Sequence, residues 1–373
     1  MSDLDSRSRP GSGAPRPSRR RVARWVRPVL FTVVIWIILV GLLEGGLRLA
    51  GIVPAHAISV APRYAKFLPD PEMIWRLKPD WDGLEFNDAP VHTNSLGLRG
   101  TEPAASQGAS GFRILFVGDS VTYGHNVADD QTVPWHLQEE LRRRTGRNVE
   151  VVNAGVPGYS TFQEVVAIRR YGQILQPDLV LVGFCLNDVT ERYTSLAAFG
   201  GPRYFMLDVD TAVGLSWPRR AWLASAIREG GIRLLRGAAR RGEGYRLRAL
   251  WESPDDPRIR EAWRTTLSEI DAAAVETSRL GVPVAVVIYP HARQVERDAG
   301  LETPQRTLVE HLDRRHVPEL DLLPALRTSS LRMEQLFLDV THLSVRGTEV
   351  AARRIAGYLV QANLVPGGEP ARP

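Results

Sequence analysis

The sequence predicts an α/β fold in which a parallel sheet is covered by helices on both faces, preceded by one N-terminal transmembrane helix. From residue 112 onward, short apolar runs alternate with helical segments, which is typical of parallel sheets. A second observation is a stretch without charge over residues 28–43, which follows an arginine-rich leader. The chain of 373 residues is longer than one hydrophobic core usually organises, so we expect one large domain with appendages.

The leader carries most of the chain's basic character. Residues 1–27 contain eight Arg and two Asp, so their net charge of +6 exceeds the +5 of the whole chain. The remaining residues are therefore nearly neutral, and they lack the interleaved basic and aromatic residues of a nucleic-acid-binding module. We expect no nucleic-acid partner. The single cysteine, Cys185, excludes an intramolecular disulfide and a zinc site built from cysteines.

Residues 28–50 are predicted to form an uncleaved transmembrane signal anchor that contacts membrane lipid. The charge-free part, residues 28–43, would span about 24 Å as a helix, against about 30 Å for the hydrocarbon core of a bilayer. The following residues complete the span if Glu44 and Arg48 pair or reach the lipid headgroups. Signal-peptidase cleavage at the Ala-His-Ala sequence of residues 55–57 is the alternative.

The basic leader also sets the expected orientation. Because Lys and Arg accumulate on the cytoplasmic side of membrane spans, residues 1–27 should stay in the cytoplasm. Everything after about residue 50 would then be periplasmic or extracellular. The protein would be a single-pass protein of the cytoplasmic (inner) membrane. Residues 18–22 also resemble a twin-arginine export signal, which would likewise place the domain outside the cytoplasm.

The rest of the chain divides into a connecting region and one large domain. Residues 51–111 lack the alternating pattern and are predicted to form an irregular or β-containing cap or linker. The α/β domain covers residues 112–365, with an insertion at about 196–256. Within the insertion, residues 219–248 hold nine Arg among apolar residues, which fits either an amphipathic lid on anionic headgroups or a solvated insertion. The predicted strands are 112–117, 148–152, 179–184 and 283–289, and the predicted helices are 133–145, 160–175, 257–280 and 303–315.

A candidate nucleophile stands at the end of the first strand of the domain. This strand ends in Gly118-Asp119-Ser120, and ligands of open α/β sheets bind at the carboxyl ends of strands. A serine on the strand-to-helix turn presents its hydroxyl beside backbone N–H groups, which makes Ser120 a candidate nucleophile. The Gly-x-Ser-x-Gly elbow of α/β-hydrolases is absent from the sequence.

Three further elements supply the partners that a nucleophilic serine needs. Gly155 follows the second strand, where a glycine lets the backbone approach a reacting oxygen and offer its N–H. Asn187 follows the third strand, and its side-chain amide could donate to the same point. Asp339 and His342 precede the last helix, three residues apart, so the carboxylate can orient an imidazole that accepts the serine proton.

With these four ordered blocks, residues 112–360 resemble the SGNH (GDSL-type) hydrolase family. The resemblance implies a flavodoxin-like three-layer α/β/α fold and ester hydrolysis without metal or cofactor. The segment Asn94 to Gly100 resembles one that precedes the domain in membrane-anchored bacterial members. The implied roles are Ser120 as nucleophile, His342 as base and Asp339 as its orienting carboxylate, with an oxyanion hole made by the Ser120 and Gly155 N–H groups and the Asn187 side chain.

Three features compete with this assignment. Cys185 stands where the family pattern has glycine, so it either narrows the pocket or displaces Asn187. His316 repeats the Asp-x-x-His spacing with Asp313 and is an alternative base, although a contact on a solvated helix face explains the pair as well. His311 and His316 lie five residues apart, which is not the spacing of a helical zinc pair, so no metal site is assigned.

These inferences predict a membrane-anchored serine ester hydrolase that acts through an acyl-enzyme on Ser120. Because the domain is expected on the exoplasmic side, its substrate should be an acyl ester of the envelope or the exterior, either a lipid or an O-acetylated glycan. One alternative is an O-acyltransferase that modifies a surface polysaccharide with the same residues. Another is a membrane-anchored binding protein without catalytic activity.

Overall fold

The computed structural model describes residues 19–49, 66–85, 87–105, 111–194, 247–296 and 300–367. The predicted insertion at about 196–256 therefore lies mostly outside the described residues, including its Arg-rich part up to residue 246. Residues 1–18 of the predicted leader also lie outside them. Helix α1, Arg19–Leu49, belongs to a different compact unit from the α/β domain.

Helix α1 contains the segment predicted to cross a membrane. It is 31 residues long with Pro28 inside it, and large apolar side chains between Leu30 and Leu43 are exposed. In the part of the chain that the structure describes, no helix has both the length and the apolar character needed to span a membrane. Residues 28–49 of the predicted anchor lie within this helix.

The α/β domain is built on a five-stranded sheet in which every neighbouring pair of strands is parallel. Counted within this sheet, the strand order is 2-1-3-4-5, the flavodoxin-like order. The predicted strands agree with the observed ones within a few residues. The strands are β5 (Gly111–Gly118), β6 (Asn148–Gly155), β7 (Leu179–Cys185), β8 (Val284–Tyr289) and β9 (Glu319–Asp321), in the spatial order β6-β5-β7-β8-β9.

Helices cover both faces of this sheet because its strands are apolar on both sides. In β5, Ile114 and Phe116 belong to one core cluster, and the alternate residues Leu115 and Val117 belong to the other. One cluster includes the helices Val133–Thr145 (α3) and Val345–Gln361 (α11), and the other includes Thr161–Leu175 (α4) and Pro257–Leu280 (α6). The remaining helices are α2 (Ser120–Tyr123), α5 (Asn187–Thr194), α7 (Ala292–Val295), α8 (Thr303–Arg315), α9 (Leu323–Arg327) and α10 (Met333–Leu336).

Residues 66–105 form two small antiparallel sheets that pack on the domain. Each has two strands, and their bounds are β1 (Phe67–Asp70) with β2 (Ile74–Leu77), and β3 (Asp82–Leu84) with β4 (Pro90–His92). Trp75 is buried in the core cluster of α4, and its indole N–H donates to the carbonyl of Pro157 at 3.2 Å. The hydroxyl of Tyr159 donates to the carbonyl of Trp75 at 2.6 Å. We call residues 66–105 the β-module.

The strand order determines where a site can form. Strands β5, β6 and β7 end side by side at one edge of the sheet, with Gly118 aligned to Gly155 and to Gly183. The order reverses between β5 and β7, and crevices at such reversals hold the ligands of doubly wound sheets. The residues that follow these three strands are Asp119, Val156 and Leu186.

Candidate active site

Ser120 lies on a sharp turn between strand β5 and helix α2. Asp119 caps this four-residue helix, because its carboxylate accepts the Val121 N–H at 2.8 Å. The helix ends at Gly124, whose φ of 86° is in the left-handed region that glycine enters without strain. The turn therefore holds the Ser120 side chain at the carboxyl edge of the sheet.

The structure places Ser120, His342 and Asp339 in one chain of hydrogen bonds. The Ser120 Oγ lies 2.8 Å from Nε2 of His342, and Nδ1 of His342 lies 2.7 Å from Oδ2 of Asp339. The other carboxylate oxygen of Asp339 accepts the backbone N–H groups of Thr341 and His342, both at 2.8 Å. Because the carboxylate accepts a hydrogen bond from Nδ1–H, Nε2 carries no proton and can accept the one of the serine hydroxyl.

Asp339 is held in its ionised form. Partial burial alone would raise the pKa of this carboxyl, but the hydrogen bonds from the His342 ring and from the two backbone N–H groups outweigh burial and keep the pKa well below its usual range. An ionised carboxylate at this point can stabilise the imidazolium that forms when His342 takes up a proton.

Asn187 is connected to the nucleophile turn through Asp119. It begins helix α5 after strand β7, and its side-chain Nδ2 donates to Oδ2 of Asp119 at 2.9 Å. Asp119 is completely buried, and burial raises the pKa of its carboxyl although the hydrogen bonds from Asn187 and Val121 oppose that effect. Since an amide nitrogen carries two N–H groups, the same side chain can also donate to a ligand.

Gly155 lies where no side chain fits. A Cβ at this position would be 2.3 Å from the backbone nitrogen of Tyr123 in helix α2, so only glycine lets strand β6 pass this close. Its N–H, however, donates to the side-chain oxygen of Asn153 at 3.0 Å. The predicted oxyanion donor is therefore engaged within its own strand, and an incoming oxyanion would have to replace Asn153 as the acceptor.

A known protein family matches most of the α/β domain. Residues 116–350 match the GDSL-like Lipase/Acylhydrolase family. The chain belongs to this family. It is therefore a serine ester hydrolase.

Two solved structures illustrate the similarity. An acetylxylan esterase from Geobacillus stearothermophilus is 16% identical, with 68% of this chain and 97% of that chain covered and a TM-score of 0.41. An alpha/beta hydrolase enzyme from the metagenome of Lake Arreo, Spain, is also 16% identical, with 67% and 95% covered and a TM-score of 0.41. No curated protein matches the chain.

Cys185 and His316, the two alternatives to the assigned residues of this GDSL hydrolase, do not take part in the hydrogen-bonded chain of Ser120. Cys185 ends strand β7 and is buried, and burial raises the pKa of its thiol well above the usual value, so it stays protonated. It does not keep Asn187 from reaching Asp119. His316 is exposed at the end of helix α8, whereas His342 contacts Ser120. Among the described residues, no cluster of three or more His, Cys, Asp or Glu could hold a metal ion.

Sequence reasoning missed the role of Arg99, which fixes the loop after the nucleophile. Its guanidinium is buried and donates to the carbonyls of Tyr123, Gly124 and Val127 at 2.6 to 2.7 Å. Its Nε donates to the carboxylate of Asp129 at 2.8 Å. Arg99 belongs to the segment 94–100, which the sequence singled out only by resemblance and without a physical role.

Proposed function

We propose that the protein is a membrane-anchored esterase that cleaves exoplasmic acyl esters through an acyl-enzyme on Ser120. The observation that carries the proposal is the continuous hydrogen-bonded chain from Ser120 through His342 to Asp339, with distances of 2.8 and 2.7 Å. Membership of an acylhydrolase family supports ester bonds as the target. The roles of the individual residues follow from the geometry.

In the first half of the reaction, the Ser120 oxygen attacks the carbonyl carbon of the ester while Nε2 of His342 takes the hydroxyl proton. Asp339 stabilises the imidazolium. The tetrahedral intermediate then collapses, the bond to the leaving alkoxide breaks, and His342 returns its proton to that oxygen. In the second half, His342 takes a proton from water, the resulting hydroxide attacks the acyl-enzyme, and the acid leaves as the serine regains its proton.

The negative charge of the tetrahedral intermediate requires donors at the same edge of the sheet. The Ser120 N–H lies in the first turn of helix α2, where backbone N–H groups have no acceptor within the helix. The Asn187 amide is a second donor, and the Gly155 N–H becomes a third when the oxyanion replaces the Asn153 oxygen. Each such donor contributes about 2.7 to 4 kcal/mol of transition-state stabilisation in related sites.

We infer that helix α1 anchors the domain in the cytoplasmic membrane and that the domain faces the periplasm or the exterior. The exposed apolar side chains of α1 support this, since contact with lipid removes their unfavourable contact with water. The Arg-rich residues 1–27 favour a cytoplasmic N-terminus. The substrate would then be an ester presented outside the cytoplasm, carried by a lipid or by an O-acetylated glycan.

The catalytic proposal is tested with the full chain in detergent, aryl esters of increasing acyl length and a fluorophosphonate probe. Ser120→Ala should abolish both ester hydrolysis and covalent labelling. Ser330→Ala, a change at an exposed serine, is the matched control and should keep both activities. Labelling of Ser120→Ala at the original rate would remove Ser120 from the mechanism. Adding a glycan acceptor and analysing the products separates hydrolysis from acyl transfer.

The anchoring proposal has a separate test. In cells, the full chain should remain in the membrane pellet after a carbonate wash, and its domain should be degraded by protease added outside the cytoplasmic membrane. A chain that lacks residues 1–50 should leave the pellet. Recovery of the full chain in the soluble fraction would refute anchoring and leave the catalytic proposal intact.

A further inference from the structure

A second histidine, His125, packs against the ring of His342. The two ring centroids are 4.7 Å apart, and the ring planes are inclined by 47°. His125 follows helix α2, and its backbone N–H donates to the carbonyl of Ser120 at 2.9 Å. The backbone that carries the nucleophile and the ring that touches the base are thus parts of one short segment.

The other side of His125 faces a buried charged cluster. Nδ1 of His125 lies 3.1 Å from Oε2 of Glu85, a residue of the β-module whose side chain is completely buried. Glu85 also forms an ion pair with Lys66 and accepts the Tyr123 hydroxyl at 2.8 Å. The Lys66 ammonium in turn donates to the Tyr123 oxygen at 3.0 Å. We call Lys66, Glu85 and Tyr123 the Glu85 cluster.

The carboxyl of Glu85 is held in its ionised form. Burial alone would raise the pKa of Glu85, but the contacts with His125 and with the Lys66 ammonium outweigh burial and keep this pKa well below its usual range. An ionised carboxylate that is buried among three partners cannot turn without losing them. Its contact therefore restricts the rotation of the His125 ring.

We propose that His125 is a positioning residue, which the Glu85 cluster fixes and whose ring holds the imidazole of His342 in line with Ser120. The proposal rests on the proposed function, since it needs His342 as the base. The carboxylate of Asp339 that orients His342 is 47% exposed, so the catalytic loop offers limited packing of its own. A ring contact on His342 limits the swing that would move Nε2 away from Ser120, and a misplacement of about 1 Å can cost about 100-fold in rate.

The proposal gives the β-module a function. Lys66 and Glu85 precede Ser120 in the chain by more than thirty residues and belong to a region that the sequence presents only as a cap or linker. Through Glu85 and His125, this region reaches the catalytic base His342. The β-module therefore supports the active site and is more than a spacer.

Three variants of the full chain test the role of His125, with steady-state kinetics on an aryl ester and thermal unfolding of each. His125→Ala should lower kcat about 10- to 100-fold and leave KM within about twofold, because it removes orientation and no substrate contact. His125→Phe keeps a planar ring at the position and should recover most of the lost kcat. Glu85→Gln should lower kcat less than His125→Ala, and it should add little when combined with His125→Ala, because both act through the same ring.

The controls separate this inference from the proposed function. His316→Asn changes an exposed histidine that adopts a left-handed backbone, which Asn tolerates, and it should keep the original kcat. Unchanged kcat in His125→Ala, or a raised KM with unchanged kcat, overturns the positioning role. A loss that Phe does not repair, together with an unchanged kcat in Glu85→Gln, shows that the imidazole acts without the Glu85 contact and also overturns it. If Ser120→Ala stays active in parallel, the proposed function fails instead.

Discussion

The sharpest test of the geometry is the replacement of Gly155 by alanine. This substitution adds one methyl group and keeps the backbone N–H that we propose as an oxyanion donor. The new Cβ would lie 2.3 Å from the Tyr123 nitrogen and 2.8 Å from the Thr122 carbonyl carbon, which are both backbone atoms of helix α2. Since backbone atoms cannot rotate out of the way, strand β6 and helix α2 must move apart.

The size of the effect follows from these distances. Carbon and nitrogen atoms in contact normally stay about 3.5 Å apart, so relief of the clash requires a displacement on the order of 1 Å. Overpacking of this kind typically lowers the free energy of unfolding by about 1 to 3 kcal/mol. Because Ser120 is the first residue of the displaced helix, we expect kcat to fall about 100-fold.

The assay compares kcat and the free energy of unfolding of Gly155→Ala with those of Gly357→Ala. Gly357 lies in helix α11, where a Cβ would meet only one atom, at 3.6 Å, so the same substitution should leave kcat unchanged and slightly stabilise the helix. A Gly155→Ala variant with the original kcat would show that helix α2 can shift without consequence, and the close approach would then have no catalytic meaning.

Three further predictions concern other residues of the domain. Asn187→Ala should lower kcat about 100- to 1000-fold, the value for one lost oxyanion donor, and a loss below tenfold would exclude that role. It should also lower the free energy of unfolding, because the buried Asp119 carboxylate loses a donor. Arg99→Ala should lower the free energy of unfolding in urea by about 3 to 5 kcal/mol, because it removes the charged partner of the Asp129 carboxylate and one donor from each of three carbonyls, and Arg99→Lys should restore little of it. Burial raises the pKa of Asp321 from 3.8 to about 6. The free energy of unfolding should therefore fall as pH rises from about 4 to about 6, because the unfolded chain loses this proton first. Asp321→Asn should therefore raise the free energy of unfolding by about 3 kcal/mol at pH 8 and have little effect below pH 4, whereas equal effects at both pH values would refute the assignment.

The elements of the α/β domain could be predicted because their pattern is local. Helix α3 was expected over 133–145 and spans Val133–Thr145, and strand β8 was expected over 283–289 and spans Val284–Tyr289. Uninterrupted apolar runs identify buried parallel strands, and amphipathic spacing identifies the helices that cover them. The predicted membrane span was not identified among the described residues, where no helix is long and apolar enough to cross a membrane.

The contacts that support the site could not be predicted in the same way. Ser120 and His342 stand beside recognisable strand and helix ends, so their motifs are visible in the sequence. The sequence around His125 contains no motif that indicates a partner, and its contact with Glu85 depends on how the β-module folds back over the domain. Such contacts join irregular segments without periodic patterns, and only the three-dimensional structure reveals them.

The small size of helix α2 explains why so many outside groups hold it. A helix of four residues has too few internal hydrogen bonds to fix its own position. Asp119 caps its start, Arg99 binds the carbonyls at its end, and Gly155 lets strand β6 lie against its backbone. All three contacts position helix α2, whose first residue is Ser120. The loss of any one of them therefore displaces the nucleophile, and the loss of a second adds less. The losses in kcat from Arg99→Ala and Gly155→Ala should therefore combine to less than their product, which is the behaviour of residues that act through a shared element.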